Sequence, residues 1–100
     1  MEPATDSHSS SGTQQFILFV SGMSHKSGNA IENIRKLCDT YLANRYELQI
    51  VDISRDKQMA VDYQIIAIPT LIRIQPLPKR TILGDLSDTQ KILQILDLEM

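Results

Sequence analysis

A single cysteine, Cys38, is all the thiol this 100-residue chain possesses. That excludes an internal disulfide and any redox step that needs two sulfurs. Two histidines and one cysteine leave no cluster with the spacing of a structural zinc site, and no metal or other cofactor is expected. Long apolar runs are also missing: nothing approaches the roughly 20 residues of a membrane span. The opening stretch MEPATDSHSSSGTQQ lacks the apolar centre of a secretory signal. Neither sign of charge dominates, with 10 Lys and Arg against 12 Asp and Glu and a net charge of −2. The two signs are interspersed, so no block can follow a phosphate backbone and nucleic acid is not an expected partner. A reducing, cytoplasmic setting away from membranes fits these absences. Glycine is sparse, and Gly22 and Gly28 do not form a phosphate-binding fingerprint.

What the chain does contain is enough apolar residue for one domain with one core. Residues 1–15 stay outside it: they are rich in Ser and Thr and have no apolar residue between Ala4 and Phe16, so they are expected to be a disordered N-terminal arm before a domain over 16–100. FILFV, residues 16–20, is a short continuous apolar run, the pattern of a strand covered on both faces. Beyond Gly22 the spacing turns helical, with Ala30, Ile34, Leu37, Cys38, Tyr41 and Leu42 on one face and Ser24 or Ser27 available as the cap. YELQIVDI predicts a second strand from about Tyr46 to Ile53, making a βαβ unit with parallel strands and a right-handed crossover.

The second half is less periodic. DKQMAVDY, residues 56–63, suits a short helix capped by Ser54 or Asp56, with Met59, Ala60 and Tyr63 on one side. IIAIPTLIRI is apolar enough for either element type, but its isoleucines and Thr70 favour strand and Pro69 opposes an unbroken helix, which predicts a strand from Thr70 to Ile74. QPLPK is a turn and RTILG a last strand. DLSDTQKILQILDL is a helix with Ser87 or Asp88 as cap and Ile92, Leu93, Ile95 and Leu96 as its apolar side.

None of the candidate chemical groups assembles into a catalytic site. The hydroxyls of Ser24 and Ser27 are neither redox-active nor ionised near neutrality. His25 and Lys26 beside those serines make no triad without an orienting partner. Asp85 and Asp88 suit a turn and a helix N-terminus, where negative charge is favourable. Cys38 sits on the apolar helix face, where a thiol behaves as a small hydrophobe; a single-cysteine enzyme would need it exposed. The chain is not expected to be an enzyme.

The order β-α-β-α-β-β-α resembles a minimal thioredoxin fold, an α/β architecture with a four-stranded mixed sheet whose last strand is antiparallel. Two positions matching the redox cysteines of that fold are Ser24 and Ser27, and AIPTL is similar to the segment holding its cis-proline. The resemblance thus implies a cis bond before Pro69, although trans is the commoner state of an X-Pro bond.

From Phe16 to Leu98 the chain further resembles the KaiB family, most closely over Pro69 to Ser87: a proline-threonine-leucine strand, a proline-rich turn, a basic pair, an isoleucine-rich strand and the element Gly84-Asp85-Leu86-Ser87. That resemblance implies a non-catalytic protein that binds the hexameric ATPase KaiC and alters its phosphorylation cycle, in a clock or stress pathway. It also implies self-association as dimer or tetramer, and two folds for one chain, the thioredoxin-like one and a rearranged ground state. The undecided period of Ile65 to Ile74 is a physical reason for such ambiguity. Carried over residue by residue, the implied partner surface is Arg73, Lys79, Arg80, Asp85 and Asp97, with Tyr46 and Gln49 on the second strand.

Some positions depart from the family. Ser24-His25 replaces a frequent Thr-Pro pair, Leu77 interrupts a proline triplet, and the basic pair is shifted to Lys79-Arg80. Ile95 stands where relatives can carry glycine, a change worth up to about 1 kcal/mol of helix stability, so this chain is expected to lean towards the thioredoxin-like fold. A redox-inactive sensor module docking on a signalling protein such as a histidine kinase is the alternative function.

Overall fold

The computed structural model describes residues 13–22, 24–43 and 45–98, so the arm expected over residues 1–15 lies largely outside the described part. Seven elements follow one another: β1 (Gln14–Val20), α1 (His25–Tyr41), β2 (Tyr46–Asp52), α2 (Lys57–Asp62), β3 (Thr70–Gln75), β4 (Arg80–Leu83) and α3 (Thr89–Ile95). β1 begins two residues before Phe16: Gln14 pairs with Tyr46 across the ladder, and its N–H donates to the Arg45 carbonyl at 3.0 Å. Polar residues thus extend a strand that apolar patterning alone starts later.

The sheet order is β2-β1-β3-β4. β1 and β2 run parallel, as a crossover helix requires, while β3 runs against β1 and β4 against β3. β3 is therefore the strand opposed to the rest. The last strand is antiparallel only to its neighbour and returns to the direction of β1.

Strand alternation divides the apolar residues between two faces. Phe16, Leu18, Val20, Leu71 and Ile82 face α1 and α3, which contribute Ala30, Ile34, Leu37, Cys38, Leu42, Ile92, Leu93 and Leu96 to the larger core. Ile17, Phe19, Val51 and Ile72 face the other way, where short α2 and its flanks supply Met59, Tyr63, Ile65 and Ile68. Tyr41, expected on the apolar side of α1, is 41% exposed at the last helical turn.

Capping follows the short polar side chains. Ser24 Oγ accepts from the Ser27 N–H at 3.2 Å, Asp56 Oδ1 from Met59 at 3.2 Å and Asp88 Oδ1 from Lys91 at 3.1 Å. Each helix is followed by a residue in the left-handed region, Ala43 (φ 37°), Gln64 (φ 55°) and Asp97 (φ 58°), none of them glycine.

Candidate functional site

The junction between β1 and α1 occupies the redox position of a thioredoxin-like fold, and its side chains are used structurally. Ser27 is buried, and its Oγ accepts the Ser21 N–H at 3.1 Å, tying the helix start to the strand end. Asp52, at the end of β2, accepts from the Gly22 N–H at 3.1 Å and from both the Ser54 hydroxyl (2.7 Å) and the Ser54 N–H (3.0 Å). These bonds, the Ser54 hydroxyl first, hold the Asp52 carboxyl below the usual range. His25 and Lys26 are exposed. The described residues here thus knit two turns together and supply no thiol.

Cys38 is fully buried, and burial, with a smaller contribution from the Asp39 charge, pushes its thiol up to about 12. A buried thiol held in its protonated form is a poor nucleophile, which argues against the reading as a thiol enzyme. The folded pKa exceeds the ordinary value of 9.0, so the folded state retains its proton longer than the unfolded one. Stability from this residue is complete below pH 9.0 and is lost as pH rises towards about 12, at about 1.4 kcal/mol per unit. Urea unfolding at pH 8 and pH 10 should show this loss in the native chain and not in Cys38→Ala. An equal pH slope in both would refute the assignment.

The structure gathers three of the residues expected on a partner surface at one end of the β3–β4 hairpin. Arg73 lies directly opposite Arg80 in the ladder, and Arg80 Nη2 is 3.9 Å from Asp97 Oδ2. Arg80 and Asp97 are accessible, but Arg73 is not: it is 3% exposed, which corrects the expectation that it contacts a partner in this fold. It shares a sheet face with Leu71, and α3 covers that face. Its Nη1 donates to the Leu96 carbonyl at 2.9 Å and its Nη2 to the Pro78 carbonyl at 3.2 Å, while Nε is buried with no partner among the described residues. A cation beside a helix C-terminus is favourably placed. Burial, then the Arg80 charge, lowers its pKa, and Asp97 works in the opposite direction.

The other expected residues lie apart. Lys79 is on the opposite sheet face, with Nζ 5.8 Å from the Tyr63 ring centroid. Asp85, past the far end of β4, accepts from the Ser87 N–H at 3.1 Å, and its own carbonyl accepts from Asn33 Nδ2 at 2.8 Å. Tyr46 and Gln49 are on β2 at the other edge of the sheet. The Tyr46 hydroxyl donates to Asp39 at 2.8 Å, a bond that raises its pKa, and Gln49 is exposed. The peptide bonds before Pro69, Pro76 and Pro78 are all cis.

Tyr63 was hidden by its own periodicity, which assigns it to the core side of α2. It does rest on Phe19, with ring centroids 5.5 Å apart. It also borders three grooves, of about 410, 390 and 610 Å³, on the face that α2 covers incompletely. A tyrosine with one supported face and open flanks suits contact with a partner. Among the described residues no three His, Cys, Asp or Glu converge as metal ligands, and no helix is long and apolar enough to cross a membrane.

A parallel βαβ unit joined to an antiparallel hairpin and closing helix, with serines at the redox positions, defines a thioredoxin-like fold without its thiols. Solved structures agree: the N-terminal domain of SasA from Synechococcus elongatus matches with a TM-score of 0.70 at 21% identity, covering 87% of this chain and 86% of that one. Thioredoxin of Fasciola hepatica matches with a TM-score of 0.69 at 17% identity, covering 92% and 86%. The KaiB domain model matches residues 17–98, and the chain belongs to the KaiB family. It is 38% identical over 81 residues to the circadian clock protein KaiB3 of Synechocystis sp., covering 81% of this chain and 79% of that one. It is 37% identical, with the same coverage, to the circadian clock oscillator protein KaiB of Synechococcus elongatus.

Proposed function

We propose that this chain is a KaiB-type clock regulator that binds a KaiC-type hexameric ATPase and modulates its phosphorylation cycle, in a clock or stress-response pathway. The observation that carries this reading is the family match across residues 17–98, essentially the whole described domain. The loss of both thiol positions supports it, because a scaffold without redox chemistry still offers surfaces. Arg80 and Asp97 supply an exposed charged rim, and Lys79 and Tyr63 a second contact on the opposite face.

Size-exclusion chromatography of the chain alone and with a KaiC hexamer plus nucleotide tests the reading, co-elution being expected. Reversing Lys79 and Arg80 together to glutamate should weaken that binding at least about tenfold, by turning attraction into repulsion at the rim. Undiminished co-elution would remove the basic pair from the interface. No co-elution of the unaltered chain, with capture by a histidine kinase sensor region instead, would favour the alternative docking partner.

The function includes the second, rearranged fold implied by the family. Ile95, the last residue of α3, packs against the larger core and helps to stabilise the thioredoxin-like form. Backbone amide NMR of the free chain reports which form dominates.

A further inference from the structure

β4 is the outermost strand of the sheet, and its outer edge pairs with no strand among the described residues. The inner edge determines what the outer one presents: the Gly84 N–H donates to the Pro69 carbonyl at 3.0 Å, and Arg80 lies opposite Arg73. Alternation along an antiparallel pair then turns the N–H and C=O of Arg80 and Ile82 towards β3, and those of Thr81 and Leu83 outward. Exposed edges are commonly blunted by a central charge or a proline, and this one has neither between Thr81 and Leu83. Leu83 is 56% exposed and Ile66 is 90% exposed, and both border one groove.

The surroundings of the edge specify the chemistry of a segment that fits it. Residues opposite each other in an antiparallel pair project from the same sheet face. Positions opposite Leu83 and Thr81 open on the α2 side into the groove of about 390 Å³, bordered by Tyr63, Ile65 and Ile66. The position opposite Ile82 opens on the α3 side into a groove of about 340 Å³, bordered by Ile92 and Ile95. Three consecutive middle residues of the segment therefore meet apolar surface on both faces. Charge stands at the two ends, with Lys79 and Arg80 where β4 begins and Asp85 just past its last residue. Arg80 is only loosely engaged by Asp97, at 3.9 Å. An antiparallel segment is thus complementary when it is basic against Asp85, apolar in the middle and acidic against Arg80 and Lys79.

We propose that the outer edge of β4 is a docking site for an extended segment of a partner protein, basic at its start, apolar in its middle and acidic at its end, which adds antiparallel as a fifth strand. Thr81 and Leu83 each exchange two backbone hydrogen bonds with the residue laid opposite, and the two grooves read the alternating side chains. The assignment does not rest on KaiC binding, and none of its readouts includes that ATPase.

The probe is the acetylated, amidated heptapeptide Lys-Thr-Ile-Val-Thr-Glu-Glu, titrated into the full chain and followed by backbone amide NMR. Saturable shifts and exchange protection should centre on Thr81 and Leu83. The peptide with its charges exchanged, Glu-Thr-Ile-Val-Thr-Lys-Lys, should bind on the order of tenfold more weakly. Leu83→Lys puts a charge on the edge, and Thr81→Pro removes an outward N–H while sparing the bonds to β3; each should weaken binding by about tenfold or more. Leu83 is already half exposed, so its replacement carries the test even where the proline variant does not fold. No saturable shift, equal binding of the two peptides, or undiminished binding by Leu83→Lys would each overturn the assignment. Protection of the same two amides in the chain alone as its concentration rises would give the edge to a second copy, and would overturn it as well.

Discussion

Phe19→Ala is expected to lower unfolding stability by about 4 kcal/mol, seen as a fall in the urea midpoint at nearly constant m. Phe19 is fully buried, and its ring supports Tyr63 at 5.5 Å. Among the described residues the cluster around it is the smaller of the two, with Ile17, Val51 and Ile72 as its other buried members and partly exposed side chains at its margin. Few neighbours can close the gap, so the removed ring leaves a cavity and forfeits its transfer free energy. Small domains have only about 5–15 kcal/mol in total, which places this variant near the limit of folding. A loss below about 2 kcal/mol would show that α2 collapses onto the gap and that the grooves beside Tyr63 deform readily.

Arg73→Ala should cost about 3 kcal/mol, and Arg73→Met less, about 1–2 kcal/mol. Two effects compete. Burying a guanidinium opposite Arg80 costs desolvation and repulsion, which removing the charge relieves. Against this stand charge-assisted bonds to the carbonyls of Leu96 and Pro78, which either substitution leaves unpartnered. The hydrogen bonds win because neither acceptor gains a replacement donor, and methionine recovers only the lost volume. Chemical denaturation of both variants checks the order. A methionine variant as stable as the parent would show that the buried cation is a net burden.

Arg73 also shows where the sequence misleads. Alternation places it on the same face as Leu71, under α3, while its charge argues for solvent. The apolar periodicity of α1 and α3 and the unbroken run in β1 were sufficient for the elements and most of the core. Helix ends were less legible: Ala43, Gln64 and Asp97 take left-handed conformations that glycine would have signalled. Gln14 and Gln15 join β1 because parallel β2 is there to pair with them, a tertiary cause with no local trace. Of the expected surface, Arg80 and Asp97 come together, Lys79 falls on the other face by strand parity, and Asp85 is separated by the length of β4. Tyr63 was visible only as a core residue, since nothing in a helical period says how much sheet a six-residue helix leaves uncovered.

Both hydrogen bonds of the Arg73 guanidinium end on residues that follow it in the chain, one in the turn before β4 and one at the end of α3. The clasp therefore joins β3, β4 and α3 to one another and not to the βαβ unit. Those three elements are held to the rest by the β1–β3 ladder, by the Asn33 hydrogen bond to the Asp85 carbonyl and by side-chain packing. Loosening the clasp is therefore expected to be felt first among β3, β4 and α3, before the βαβ unit.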